Sequence, residues 1–376
     1  MPRLHLAHIY RLGIKELWSL WRDPMMLVLI VYTFSLSIYA GATAMPESLR
    51  HAAIAIVDED ASPLSARLAE SFYPPRFRSP ELISAREIDP RMDRGDDTFV
   101  LVIPPGFQRD VLAGRQPRLQ LNVDATRMSQ AFTGGGYVQQ IIAAEVNRFV
   151  LRHSGGATPP VDLAVRMRFN PNLEHPWFGS LMEIINNVTM LSIILTGAAL
   201  IREREHGTVE HLLVMPVTPG EIMLAKVWSM GLVVLVAAMA SLSFIVQGAL
   251  GVPVQGSVAL FALAAALHLF ATTSLGIFLA TLARSMPQFG MLLVLVLLPL
   301  QMLSGGVTPL ESMPALVRWV MGAAPTTHFV AAAQAILYRG AGLAVVWPQL
   351  LAVGAIGSLL FIAALSRFRK TIGLMA

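Results

Sequence analysis

The chain has 376 residues, of which 55% are hydrophobic and only 14% are charged. Soluble domains carry about 25% charged residues, so the totals exclude an ordinary soluble protein and point to a polytopic membrane protein, as does the mean hydropathy of +0.59. The net charge of +4 gathers in no basic run or stripe, which argues against nucleic-acid binding, and the lack of cysteine excludes disulfides, cysteine-type zinc sites and thiol catalysis.

Residues 1–23 read as an amphipathic helix lying in the membrane interface. At helical spacing Arg11, Lys15 and Arg22 fall on one side, with Tyr10, Ile14, Leu17 and Trp21 on the other and Trp18 at the boundary. Basic residues with tryptophans suit that position. Residues 24–44 carry no charge and are long enough for a first transmembrane helix. Ala42-Thr43-Ala44 resembles a signal-peptidase site. The helix-length basic segment before it favours a retained span over a cleaved signal peptide.

Residues 45–175 regain charge and proline, and none of their segments could span. Strands are expected at 51–57, 98–103 and 118–123. Helices are expected after Ser62-Pro63, after Pro104-Pro105-Gly106 through about Leu112, and over 128–152, where Gly134–Gly136 weaken the last. The alternation predicts a small inserted α/β domain. Asp58-Glu59-Asp60 reads as an acidic turn after a strand rather than a metal loop.

Residues 176–376 hold five more expected spans, at 181–201, 227–246, 258–282, 289–303 (kinked by Pro299) and 348–365. Residues 305–347 form a re-entrant-like connection with two short helices, near 314–321 and 326–338. The fold class is therefore membrane all-α, with six transmembrane helices, an N-terminal interfacial helix, and an inserted α/β domain between helices one and two. In the second span Asn186, Thr189, Ser192 and Thr196 share one arc, with Asn187 beside them. Such a stripe should face other helices or a substrate pathway. His268, deep in the fourth span, belongs to the same candidate set; the plainer reading hydrogen-bonds it to Thr272 or Thr273.

Arginine and lysine collect at the N-terminus, after helix two, after helix four and at the C-terminus, whereas 248–256 has none. This positive-inside pattern puts both termini in the cytoplasm and 45–175 outside. The chain contains no P-loop, H-E-x-x-H, G-x-S-x-G or paired-histidine motif, so no catalytic residue, bound metal or cofactor is expected.

The segment between helices two and three, 202–222, combines Arg202-Glu203-Arg204-Glu205, His206-Gly207, the apolar patch 211–215, and Pro216 and Pro219. Charge runs are usually solvated faces. Apolar residues beside charges outside the bilayer instead suggest a docking surface.

The chain resembles ABC-2 type transporter permeases, in the multidrug-efflux-like branch with a large extracytoplasmic domain. The resemblance rests on Lys15-Glu16-Leu17 with Arg22-Asp23-Pro24; Val57-Asp58-Glu59-Asp60; Val102-Ile103-Pro104-Pro105-Gly106-Phe107; Phe169-Asn170-Pro171; Glu203 through Glu210 with Pro216; and Ser304-Gly305-Gly306 leading to Glu311-Ser312-Met313-Pro314. It covers essentially the whole chain and departs at Gly306-Val307-Thr308-Pro309, where an aromatic residue is expected before the proline.

The resemblance implies an inner-membrane exporter of drug-like or lipid-like amphipathic molecules. Two permease chains pair, separate cytoplasmic ATPase subunits bind the ATP, and a periplasmic adaptor is a further partner. It also implies that Arg11 and Lys15 of the first helix, with Glu203, Arg204, Glu205, His206, Gly207, Thr208 and Glu210, meet the ATPase. Two other readings stand beside it. A proton- or ion-driven carrier predicts paired intramembrane acids and inverted repeats, which the sequence lacks. A non-transporting receptor or assembly factor would use only its outer domain.

Overall fold

A computed structural model describes residues 5–44, 52–124, 128–153, 175–205 and 217–373. The chain divides into two compact units, one made of 1–44 with 176–376 and the other of 45–175.

The first unit is helical. Its elements are α1 (Leu6–Trp21), α2 (Pro24–Phe34) and α3 (Leu36–Ala44) before the second unit. After it come α8 (His175–Glu205), α9 (Pro219–Ser241), which runs on as a π-helix over Leu242–Ala249, and α10 (Val258–Leu282). The remaining helices are α11 (Met286–Met302), α12 (Ala315–Gly322), α13 (Pro325–Leu337) and α14 (Leu343–Gly373). Among the described residues five stretches are long and apolar enough to cross a membrane: Pro24–Thr43, Pro176–Glu205, Pro219–Ala249, Val258–Leu282 and Leu343–Lys370. The α12–α13 pair passes the same test as one broken segment bent by 84°.

Several boundaries differ from those expected. The first span breaks at Ser35, between α2 and α3. Helix three starts at Pro219 rather than Val227. Thr218 caps it, Glu221 completes a capping box and Pro219 takes the first helical position, so the charged residues before the apolar run are already helical. The last helix starts at Leu343, with Pro348 inside it one turn from its start. The fifth expected span is only 17 residues long and contains Pro299. At ~1.5 Å per residue it falls short of a ~30 Å hydrocarbon core. Both expected short helices form, as α12 and α13.

The centre of this unit is α8, which is buried along most of its length. It meets α10 closely at Gly276, where a Cβ would lie 2.4 Å from Thr196 Oγ1 and 2.7 Å from the Ile193 carbonyl oxygen. Only glycine lets the two backbones approach this far.

The second unit is α/β. Its sheet has the order β2-β1-β3-β4, with β1 (Ile54–Asp58), β2 (Glu81–Leu82), β3 (Phe99–Ile103) and β4 (Gln120–Val123). β2 and β3 run parallel to β1, and β4 runs antiparallel to β3. Alternate residues Ile54, Ile56, Phe99, Leu101 and Ile103 pack under α4 (Pro63–Glu70), α6 (Phe107–Leu112) and α7 (Met128–His153). Ala55, Val57 and Val100 face the other way, toward Ile88 and Met92 of α5 (Ile88–Asp93). The period-2 alternation thus serves two faces. Ser62 caps α4 as expected, and α7 runs on through its three glycines.

The acidic turn is a local staple. Asp58 accepts from the Asp60 and Ala61 amides and from Ser65 Oγ, and Asp60 accepts from the Gln108 amide. Among the described residues no acidic or histidine cluster could hold a metal. Burial works to raise the Asp60 carboxyl, but hydrogen bonds from Ser62 and from the Gln108, Gly106 and Phe107 amides hold it below its ordinary value.

Candidate functional site

The sequence predicts a docking surface where α8 leaves the apolar layer. Its last four residues each reach a different element. Arg202 pairs with Asp23, the cap of α2, at 2.5 Å. Glu203 lies between Lys15 of α1, at 3.1 Å, and Lys226 of α9, at 2.8 Å. Arg204 donates to the carbonyls of Ala280 and Ala283 at the end of α10, at 3.1 and 2.9 Å. Glu205 accepts from the Met286 amide at the start of α11, at 2.9 Å. The last two contacts follow helix electrostatics, with a cation at a C-terminus and an anion at an N-terminus. A solvated charge run would make none of these bonds.

The cluster extends through Glu16, whose carboxylate meets Lys226 Nζ at 3.1 Å and Lys15 Nζ at 3.7 Å. Lys226 is 2% exposed, so its ammonium depends on these two carboxylates. Asp23, Glu16 and Glu203 balance Lys15, Lys226 and Arg202, three charges of each sign. Burial pushes the Glu16 carboxyl above its ordinary value, against the pull of Lys226. Asp23 moves the other way: burial would raise it, but the Met26 amide and Arg202 hold it low. A cavity of about 280 Å³ adjoins the cluster, lined by Lys15, Glu16, Arg202 and Glu203 and by apolar Leu20, Leu195 and Met230.

α1 is strapped to α9 as well. Trp228 Nε1 donates to the Ile9 carbonyl at 3.2 Å and its indole stacks on Tyr10. A Cβ on Gly13 would lie 2.0 Å from that ring, so glycine is required at the crossing. The Glu221 carboxylate, already in the α9 capping box, also accepts from the His5 amide at 2.7 Å. The buried stripe of α1 is Gly13, Glu16 and Leu20, whereas Tyr10, Trp18 and Trp21 stay exposed. Arg11 is exposed and has no ion pair among the described residues.

Of the expected docking residues, the structure therefore gathers Lys15, Glu203, Arg204 and Glu205, and leaves Arg11 apart. His206, Gly207, Thr208 and Glu210 lie outside the described residues. The sequence assigns no site role to Glu16 and Asp23, which appear only in the motifs of the family resemblance, nor to Gly13, Lys226 and Trp228. One signal was available: Lys226 is one of only three lysines and stands at the edge of an apolar run.

The expected pathway residues form a second polar group, without charge. Thr189 Oγ1 and His268 Nε2 are 2.9 Å apart, and Ser192 donates to Thr272 at 2.6 Å. The His268 ring stacks on Phe329, with centroids 4.1 Å apart. Its ring partner is thus Thr189 on α8; Thr272 instead donates back to the His268 carbonyl. Thr196 bonds to its own helix, and Asn187 donates to the Thr33 carbonyl at the α2–α3 break. Asn186 is half-buried. Apart from Asn186, these residues are buried in helix–helix contacts.

Comparison with known proteins agrees with this architecture. A family model described as ABC-2 family transporter protein matches residues 23–366. The inner membrane transport permease YhhJ of Escherichia coli (strain K12) is 64% identical over 372 residues, 99% of this chain and 100% of that protein. The probable multidrug ABC transporter permease YbhR of the same organism is 28% identical over 363 residues, 95% of this chain and 97% of that protein. The similarly named YbhS is 29% identical over 266 residues, 68% of each chain.

Proposed function

The chain belongs to the ABC-2 family of transporter proteins, and from that premise we propose that it is the membrane permease of an ATP-driven exporter in which the junction at Arg202–Glu205 receives the work. The chain is a multi-pass inner-membrane protein, in keeping with its long apolar helices and the printed name of its 64% identical relative. It carries both termini in the cytoplasm and 45–175 outside. It spans six times, with the 17-residue α11 as a short fifth crossing whose mismatch is taken up by local thinning of the bilayer. The chain does no chemistry itself. ATP is bound and split on separate cytoplasmic subunits, and two permease chains pair to enclose the route. The cargo is an amphipathic or hydrophobic molecule, a reading favoured by the names of the more distant relatives. A periplasmic adaptor would meet the outer unit.

One observation carries this reading: four consecutive residues join α2, α1 with α9, α10 and α11. A push on the segment that follows Glu205 is delivered at once to every element that Arg202–Glu205 hold. Residues 206–210, next in the chain, and Lys15 are assigned the contact with the ATPase. The buried 189–268 group packs α8 against α10 beside the route. The test is to isolate the permease in mild detergent and ask what comes with it. A nucleotide-hydrolysing subunit is expected to copurify, and its ATP hydrolysis to lose its dependence on the permease when Glu203 and Glu205 are replaced by glutamine. Isolation without such a subunit, or export driven by a proton gradient in the absence of ATP, would contradict the proposal.

A further inference from the structure

Within the α/β unit, the core stops short of closing along one side of α7. A cavity of about 530 Å³ remains there, in the range of small-molecule pockets. Its floor is Leu101 and Phe107, both buried, and its walls are half-buried aliphatics of β4 and α7, such as Leu121 and Val146. The groove is open to solvent along one side, so its aliphatic walls stay in water unless an apolar group covers them.

The shape restricts the occupant. The α7 wall runs from Val138 to Val150, twelve residues or ~18 Å of helix. An aliphatic wall of that length suits one extended alkyl chain laid along it. At its mouth stands Arg115, the only charged lining residue among those described; it is exposed and tied to Asp110 at 3.2 Å. A surface pair of this kind is weak and exchanges readily for another anion. We propose that this pocket is a binding site for a single-chain anionic amphipath, with its alkyl chain along α7 and its carboxylate or phosphate on Arg115. The site belongs to the α/β unit alone and does not depend on what drives transport.

The experiment uses the full chain in nanodiscs of zwitterionic lipid, probed with a medium-chain fatty acid bearing a terminal photoreactive diazirine and with the matching neutral alcohol. Crosslinks are mapped by peptide mass spectrometry. The expected result is labelling within 99–121 and 138–150 in addition to the spans. Ala143→Trp, at an exposed position on the pocket rim, should reduce pocket labelling about tenfold, an occupancy change equivalent to one decade in affinity. Labelling of the spans should not change. Arg115→Ala should lower pocket labelling by the acid but not by the alcohol, and Arg115→Lys should restore part of it. An acyl phosphate competing as well as a fatty acid would assign the site to the anionic charge rather than to the carboxylate. Labelling confined to the spans, pocket labelling indifferent to Ala143→Trp, or an Arg115→Ala effect equal for acid and alcohol would each overturn the proposal.

Discussion

Two polar groups sit among the helices of this protein, and they are built on opposite principles. The group at 189, 192, 268 and 272 is neutral, bonds α8 to α10 with the His268 ring stacked on Phe329 of α13, and uses hydroxyls that bond mainly to their own helix. The group around Glu203 is charged, joins α1, α2, α8 and α9, and its members depend on partners far away in the chain. Hydroxyls in a helix always have a carbonyl in reach, so removing one partner leaves little unsatisfied. A buried charge has no such fallback. The neutral group is therefore tolerant glue, whereas the charged group holds together only when four elements are in register.

The largest expected effect breaks the charged side. Lys226→Met leaves Glu16 and Glu203 without their buried cation and with only the half-exposed Lys15 between them, which should cost about 3–5 kcal/mol and show as a large drop in thermal unfolding temperature of the purified permease. Adding Glu16→Gln to Lys226→Met should recover part of that loss, because one unpaired charge is removed. Next comes the strap between α1 and α9. Gly13→Val pushes into the Trp228 ring and should cost about 1–3 kcal/mol, read as faster proteolysis of α1 with the spans still protected.

Asp60 gives a smaller effect, with a sign that pH can check. Its folded carboxyl lies below its unfolded value, so its contribution is present above about pH 4 and fades as pH falls through the folded value. Asp60→Asn should cost about 1 kcal/mol at neutral pH, and the gap from wild type in urea unfolding should close on acidification. The smallest effect belongs to the neutral group. Thr189→Val removes one bond to His268 and should change stability by about 0.6 kcal/mol. A loss as large as that of Lys226→Met would abolish the distinction between the two groups.

What could be read from the sequence follows the same division. Local signals sufficed for the span at 258–282, for the Ser62-Pro63 helix start and for three of the four strands. β2 is invisible in the sequence because a two-residue parallel edge strand carries no periodic pattern. The apolar run alone places the start of helix three eight residues late; the Thr218–Glu221 capping box marks the true start. In α1, helical periodicity ranks Gly13 as neutral and Glu16 as outward, yet these two with Leu20 form its buried stripe. Their burial is decided by Trp228 and Lys226, more than two hundred residues on, and local spacing holds no such information. The run at 202–205 was recognised as the place that matters, but its ion pairs became visible only when the fold brought the partners together.

The central claim is that the 202–205 junction transmits work. It is tested most directly by comparing Glu205→Ala with Thr189→Val in the reconstituted complex of permease and ATPase. Glu205 is exposed and holds only the start of α11 among its described contacts, so its loss leaves the fold intact. With both variants inserted and assembled as wild type, Glu205→Ala is expected to uncouple ATP hydrolysis from the permease while Thr189→Val hydrolyses normally. Wild-type coupling in Glu205→Ala, or equal loss in both variants, would contradict the claim.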